Sequence, residues 1–165
     1  IRKMSKIFIK IKMVHLIWLF FLLLNIAFSF SAYSKAPATE WLSLKYDKTY
    51  LRSGPSKQNK VLWTYKKKGL PIKLIRKKGD WYEVEMPEQI KGWINSSQIS
   101  FKRRVLVISE NPINIRKKEE ISSKIVAKAS RNVVGELIGC QKRFCKIDFY
   151  KIEGFVEKDS LWGID

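Results

Sequence analysis

The sequence predicts an all-β protein, with two small tandem barrels behind an N-terminal signal peptide. Three observations carry that expectation. Beyond residue 40 the chain repeats itself, its apolar segments are short and divided by turn residues, and no stretch after residue 34 shows a helical period. The expected organisation is a signal peptide over 1–34, a first barrel over 41–100 and a second, divergent barrel over 105–164.

The first 34 residues contain Arg2, Lys3, Lys6, Lys10 and Lys12 and no acidic residue. An apolar run follows over 16–30, broken only by Asn25 and Ser29, and then Ala32-Tyr33-Ser34 offers a small-x-small cleavage motif. Basic, apolar and small regions in that order read as a secretory signal, with export to the periplasm the expectation. The alternative is an uncleaved membrane anchor, because 13–30 reaches the lower length limit for a bilayer span. Met4 is the expected start, since starting at Met13 would remove all five basic residues.

The repeat is seen in matched triplets. Tyr50-Leu51-Arg52 lines up with Asn114-Ile115-Arg116, and Lys60-Val61-Leu62 with Lys124-Ile125-Val126. Farther on, Trp81 falls on Phe144, and Gly92-Trp93-Ile94 on Gly154-Phe155-Val156. Within the first unit, 60–65, 70–76, 81–86 and 90–94 are rich in Val, Ile, Trp and Tyr, and 81–86 alternates apolar with polar residues after its Trp81-Tyr82 head. Gly54-Pro55, Gly69 and Gly79-Asp80 mark the boundaries. In the second unit the corresponding strands are 124–129, 133–140, 144–149 and 152–156. Strands this short, turning every few residues, suit a small barrel better than an open sheet.

Cys140 and Cys145 stand at the mouth of an expected hairpin. In an oxidising compartment they are expected to form a structural disulfide. A redox-active pair is the alternative, although that chemistry favours C-x-x-C beside a βαβ unit.

The residue inventory removes several reaction classes. His15 is the only histidine and lies in the signal segment, so Ser-His-Asp and Cys-His mechanisms have no base. Two cysteines alone cannot complete a zinc shell, so no metal site is expected. No phosphate-binding glycine loop or dinucleotide turn is present, and no cofactor is expected. The expected role is binding without catalysis.

The run Leu51-Arg52-Ser53-Gly54-Pro55-Ser56, then Val61-Leu62, the strand Gly79-Asp80-Trp81-Tyr82-Glu83-Val84 and the closing Gly92-Trp93-Ile94-Asn95 resemble bacterial SH3-like domains. The resemblance covers about residues 46–100. The second unit keeps Ile115-Arg116, Gly154-Phe155-Val156 and Leu161-Trp162-Gly163, but has Lys117-Lys118-Glu119 where the first has its Ser-Gly-Pro turn. The whole arrangement is similar to exported alphaproteobacterial proteins that carry this domain. The resemblance implies two tandem SH3-like β-barrels of five to six strands each. It also implies binding rather than catalysis, since several members hold peptidoglycan or peptides near a hydrolase.

A barrel of about 60 residues buries only ~60% of its unfolded surface. It cannot hide all of Trp41, Tyr46, Tyr50, Trp63, Tyr65, Trp81, Tyr82 and Trp93. Tyr50, Trp63, Tyr65 and Trp81 are the expected ligand groove, with Arg52 beside them. Aromatic grooves bind extended peptides, and flat rings stack on sugar faces. Against this stands a core role for Trp81 and Trp93. Trp63 and Tyr65 share a face by alternation, so both are core or both are exposed. Arg52 and Arg116 are either carboxylate or phosphate clamps or hydrogen-bonding forks that fix the following loop, and their presence in both copies favours the fork.

The formal net charge is +18, from 33 Lys and Arg against 15 Asp and Glu. It is uneven: residues 35–104 carry 17 basic and 6 acidic side chains, and residues 105–165 carry 11 and 9. For an exported chain, an anionic cell-wall polymer or a membrane surface is a more accessible weak partner than nucleic acid. Lys outnumbers Arg 25 to 8, which equally fits lysines scattered over solvated loops without a binding role. The expected partner is peptidoglycan or its peptides. The alternative is a peptide segment of another envelope protein.

Overall fold

The computed structural model describes residues 39–164, and the expected signal peptide lies outside them. Strands β1 (Trp41–Leu44), β2 (Thr49–Arg52), β3 (Val61–Tyr65), β4 (Pro71–Lys78), β5 (Trp81–Glu85), β6 (Lys91–Asn95) and β7 (Ile99–Ser100) form one antiparallel sheet. Strands β8 (Arg104–Val107), β9 (Ile113–Arg116), β10 (Ile125–Ala129), β11 (Val134–Gln141), β12 (Phe144–Asp148), β13 (Glu153–Glu157) and β14 (Leu161–Trp162) form the other. The spatial orders are β3-β2-β6-β5-β4-β1-β7 and β10-β9-β13-β12-β11-β8-β14. Position for position they are the same, so the fold is two copies of one small SH3-like barrel.

Each sheet has seven strands rather than five or six. A single 3-10 turn, Ser96–Gln98 in one copy and Lys158–Ser160 in the other, places a two-residue strand beside β1 or β8. The four-residue strands β1 and β8 escape a reading by periodicity because WLSL and RVLV are too short to show an alternation.

Alternation decides which side chains face inward. Leu42, Leu44, Leu51, Ile72, Val84 and Ile94 come from five different strands and pack into one buried cluster, so the first sheet curls around its own core. In the second barrel Val105, Val107, Ile115, Cys145, Ile147 and Val156 do the same. Cys140 and Cys145 are cross-strand partners on β11 and β12 and are joined in a disulfide, their Cα atoms 4.0 Å apart. The bond ties the surface end of the hairpin to Cys145, a fully buried core residue.

The two barrels are packed against each other. Leu106 of β8 belongs to the first barrel's core cluster, with Val134 and Trp162 against it. The rings of Trp41 and Trp162 meet edge to face with centroids 5.0 Å apart. The connection is pinned as well. The Ser43 hydroxyl donates to the Lys102 carbonyl over 2.9 Å, and an Arg103 nitrogen donates to the Gly163 carbonyl over 3.3 Å.

Close approach of β6 to β2 explains a repeated glycine. A Cβ on Gly92 would lie 2.7 Å from Leu51 Cγ and 2.9 Å from the Arg52 carbonyl oxygen. On Gly154 it would lie 2.5 Å from Ile115 Cγ2 and 2.8 Å from the Arg116 carbonyl oxygen. Gly92→Ala and Gly154→Ala are each expected to destabilise the protein by about 1–3 kcal/mol in urea unfolding. Gly139→Ala, where no atom lies within 4 Å of the new Cβ, should stay within about 0.5 kcal/mol of wild type.

Candidate functional site

Successive residues of β2 point to opposite sides. Leu51 is fully buried, while Tyr50 and Arg52 turn outward. Arg52 pairs across the sheet with Trp93 of β6, Trp93 with Glu83 of β5, and Glu83 with Arg76 of β4. This row crosses the outer face of the sheet. Trp93 is only 6% exposed, although it stands outside the core cluster. It is covered from the solvent side by the Arg76 guanidinium, 5.3 Å from the ring centroid, which is itself ion-paired with Glu83. Trp93 is therefore buried, as a core residue would be, but on the outer face of the sheet and beneath a charged side chain.

Next to this row lies an open cleft of about 580 Å³. Tyr50, Arg52 and Trp81 line it from β2 and β5. The loop 55–58 forms one wall, and Asp80, Asn95, Ser97 and Gln98 form the other. Both walls are held by local hydrogen bonds. Arg52 Nη1 donates to the Asn59 carbonyl over 2.8 Å, which ties the 53–60 loop back to β2. The Asn95 side-chain oxygen accepts from the Ser97 backbone N–H at 3.1 Å and its hydroxyl at 2.6 Å.

Arg116 Nη1 makes the matching bond to the Ser123 carbonyl over 3.0 Å. The repeated arginine is thus the loop-fixing fork in both copies. In the first copy it has a second aspect, because its guanidinium also faces the cleft and lies 5.7 Å from the centre of the Tyr50 ring. Lys48 approaches the same ring at 5.2 Å, and its hydrogen bond and charge interaction with Tyr50 raise its ammonium above the ordinary lysine value.

The five residues expected to form the groove are divided by the structure. Tyr50, Arg52 and Trp81 come together; Trp63 and Tyr65 are not among the cleft residues. Trp63 pairs with Leu51 and Tyr65 with Thr49, so both stand on the side of β2 opposite to Tyr50 and Arg52. Nor do they share one degree of burial. Trp63 is 55% exposed, whereas Tyr65 is half-buried against the core. The strand they occupy, β3, is the sheet edge, where a side chain on the inner face can still overhang into solvent. Loop residues Pro55, Ser56, Lys57 and Gln58 and the turn residues Ser97 and Gln98 complete the cleft. Their turn-forming character is visible in the sequence, but their convergence depends on sheet register. Among the described residues no cluster of three or more His, Cys, Asp or Glu is placed to hold a metal ion.

In the second barrel the corresponding place is altered. Phe144 occupies the Trp81 position and is 5% exposed, and Arg143 pairs with Glu157, whose counterparts are Asp80 and Asn95. A separate, more apolar cleft of about 270 Å³ lies against the disulfide, lined by Ile138, Cys140, Phe144 and Phe155.

Fold and cleft together define the first barrel as a small all-β module with an open aromatic surface site. Residues 45–100 match the family model described as bacterial SH3 domain. No curated protein matches the chain. Two solved structures are similar to it in part. NlpC2 from Trichomonas vaginalis is 10% identical with a TM-score of 0.36, covering 78% of this chain and 49% of that one. NlpC1 from the same organism is 13% identical with a TM-score of 0.35, covering 79% and 48%. The chain spans about half the length of each, and likeness at this level decides neither fold nor activity.

Tyr65 provides a pH-dependent test of the described geometry. Burial pushes its phenol well above the usual tyrosine range. The Glu88 carboxylate adds to this by its charge and by accepting a long, 3.4 Å hydrogen bond from the hydroxyl. A folded-state value raised above the unfolded one stabilises the protein at pH values below the unfolded pKa, and that contribution fades as the pH rises beyond about 10. Urea unfolding at increasing alkaline pH should therefore show a loss of stability that is smaller in Tyr65→Phe. An equal loss in both proteins would remove Tyr65 as its source.

Proposed function

We infer that this protein is an exported, non-catalytic binding protein whose first barrel recognises peptidoglycan or its peptides through the Tyr50–Arg52–Trp81 cleft. The observation that carries the reading is the convergence of two aromatic rings with Arg52, Lys57 and Asp80 in one open cleft on the barrel. Rings suit sugar faces and peptide backbones, the arginine suits a carboxylate, and Asp80 suits an amine. A cell-wall glycan with peptide stems presents all three. The match of residues 45–100 to the bacterial SH3 domain supports a binding role, and the signal-like segment over 1–34 supports a periplasmic location. The second barrel acts as a support, sharing core contacts through Leu106 and Trp162.

A second reading is favoured by one feature. The edge strand β3 exposes Leu62 and Trp63 beside unpaired backbone groups, a geometry to which an extended segment of another envelope protein can add as a strand.

Co-sedimentation of the full chain with purified sacculi separates the two. At roughly physiological salt, where the Debye length is about 8 Å, the wild type should pellet. Trp81→Ala and Tyr50→Ala should each weaken binding about tenfold or more, a loss of the order of one stacked ring. Trp63→Ala should pellet as wild type. Failure of the wild type to pellet would favour the edge strand and a protein partner instead.

A further inference from the structure

A second cleft, of about 570 Å³, opens on the side of the first barrel that meets the second. Lys45, Lys68, Lys102 and Arg104 line it together with Tyr46 and Ser43, and among the described residues no carboxylate lines it. Asp47 follows Tyr46 in the same loop but is not a lining residue. We propose that this cleft is an anion site for a ligand carrying two or more phosphate charges.

The four cations are gathered by the docking of the barrels and not by one loop. Lys45 follows β1, Lys68 precedes β4, Lys102 lies in the connection, and Arg104 begins β8. The Lys102 carbonyl is held by the Ser43 hydroxyl, which fixes the connection against β1. The stem of Arg104 passes over Gly69, where an added Cβ would lie 3.2 Å from its Cδ. One of its terminal nitrogens pairs with Glu136 over 2.9 Å, which orients the guanidinium while leaving further donors on the fork. Across the same junction Lys67 donates to the Asn132 carbonyl, a further tie between the barrels.

The internal repeat shows that the fold itself does not require this charge. The Gly69 N–H donates to the Leu44 carbonyl as the Asn132 N–H donates to that of Val107, so Lys45 corresponds to Ile108 and Lys68 to Arg131. In the second barrel Ile108 carries no charge, and Arg131 is ion-paired with Glu110. The scaffold has been copied, and the gathering of positive charge has not. Three ammonium groups gathered beside the Glu136-paired Arg104 repel one another, and a single carboxylate would leave most of that repulsion in place. A pyrophosphate-like ligand, or one with two neighbouring phosphodiesters, relieves more of it, with the guanidinium and ammonium groups as charge-assisted donors.

Isothermal titration of the full chain with pyrophosphate, at about 0.05 M and about 0.15 M salt, tests the site directly, with weaker binding expected at the higher salt. Flotation with vesicles of phosphatidylcholine, with and without cardiolipin, whose headgroup carries two phosphates, tests whether a lipid headgroup supplies them. The double variant Lys68→Gln/Lys102→Gln should weaken binding about tenfold or more, while Lys151→Gln, an exposed lysine of the second barrel, should not. Thermal melts establish that both variants fold. Variant-sensitive binding of pyrophosphate alone supports the site with a soluble ligand, and variant-sensitive vesicle binding supports it with a headgroup. Absence of binding to both probes, or binding undiminished in the double variant, overturns the proposal.

Discussion

The hydrogen bond from Arg52 to the Asn59 carbonyl is the contact on which the candidate site depends. A loop of this kind has backbone groups that the sheet ladder does not satisfy, and a planar, always-charged donor on the neighbouring strand holds one of them in place. Because β2 alternates, the guanidinium that reaches the loop is also on the outer face, opposite the buried Leu51. The same side chain therefore fixes the wall at 55–58 and places positive charge in the cleft that the wall encloses. Fixing the loop and lining the cleft are two consequences of one geometry.

The second barrel separates these roles. It retains the fork at Arg116, the close glycine at Gly154 and the strand order, all of which the fold needs. It does not retain the half-buried cleft ring of Trp81, since Phe144 is buried and Arg143 is paired with Glu157. Within one chain the duplication thus distinguishes residues that serve the barrel from residues free to change. Trp81, Asp80, Lys45 and Lys68 belong to the second kind, and all of them line clefts of the first barrel.

Much of the fold was legible in the sequence because it rests on local signals. The matched triplets around Arg52 and Arg116, and around Gly92 and Gly154, align in the structure as they do in the chain, and the expected strands agree to within one or two residues at their ends. The strands β1 and β8 were not legible, since four residues with three of them apolar carry no period. The cleft was legible only in half. Choosing Tyr50, Arg52 and Trp81 required aromatic and basic residues beside turns, whereas excluding Trp63 and Tyr65 required knowing that they face Leu51 and Thr49 across the sheet. Register of that kind is a long-range property, set by the bulge between Leu51 and Arg52 and by the core, and no local pattern contains it. The burial of Trp93 under Arg76 is similar: a large ring suggested a core position, and the sheet placed it on the outer face under a guanidinium.

The central claim is that the aromatic cleft of the first barrel is where ligand sits. Amide and side-chain shift mapping by NMR, with a soluble peptidoglycan fragment carrying its stem peptide titrated into the protein, tests it most directly. The account predicts shifts concentrated at Tyr50, Arg52, Asp80, Trp81 and Ser97, with Phe144 and the remainder of the second barrel unmoved. Shifts centred on Leu62 and Trp63, on the second barrel, or nowhere would contradict it.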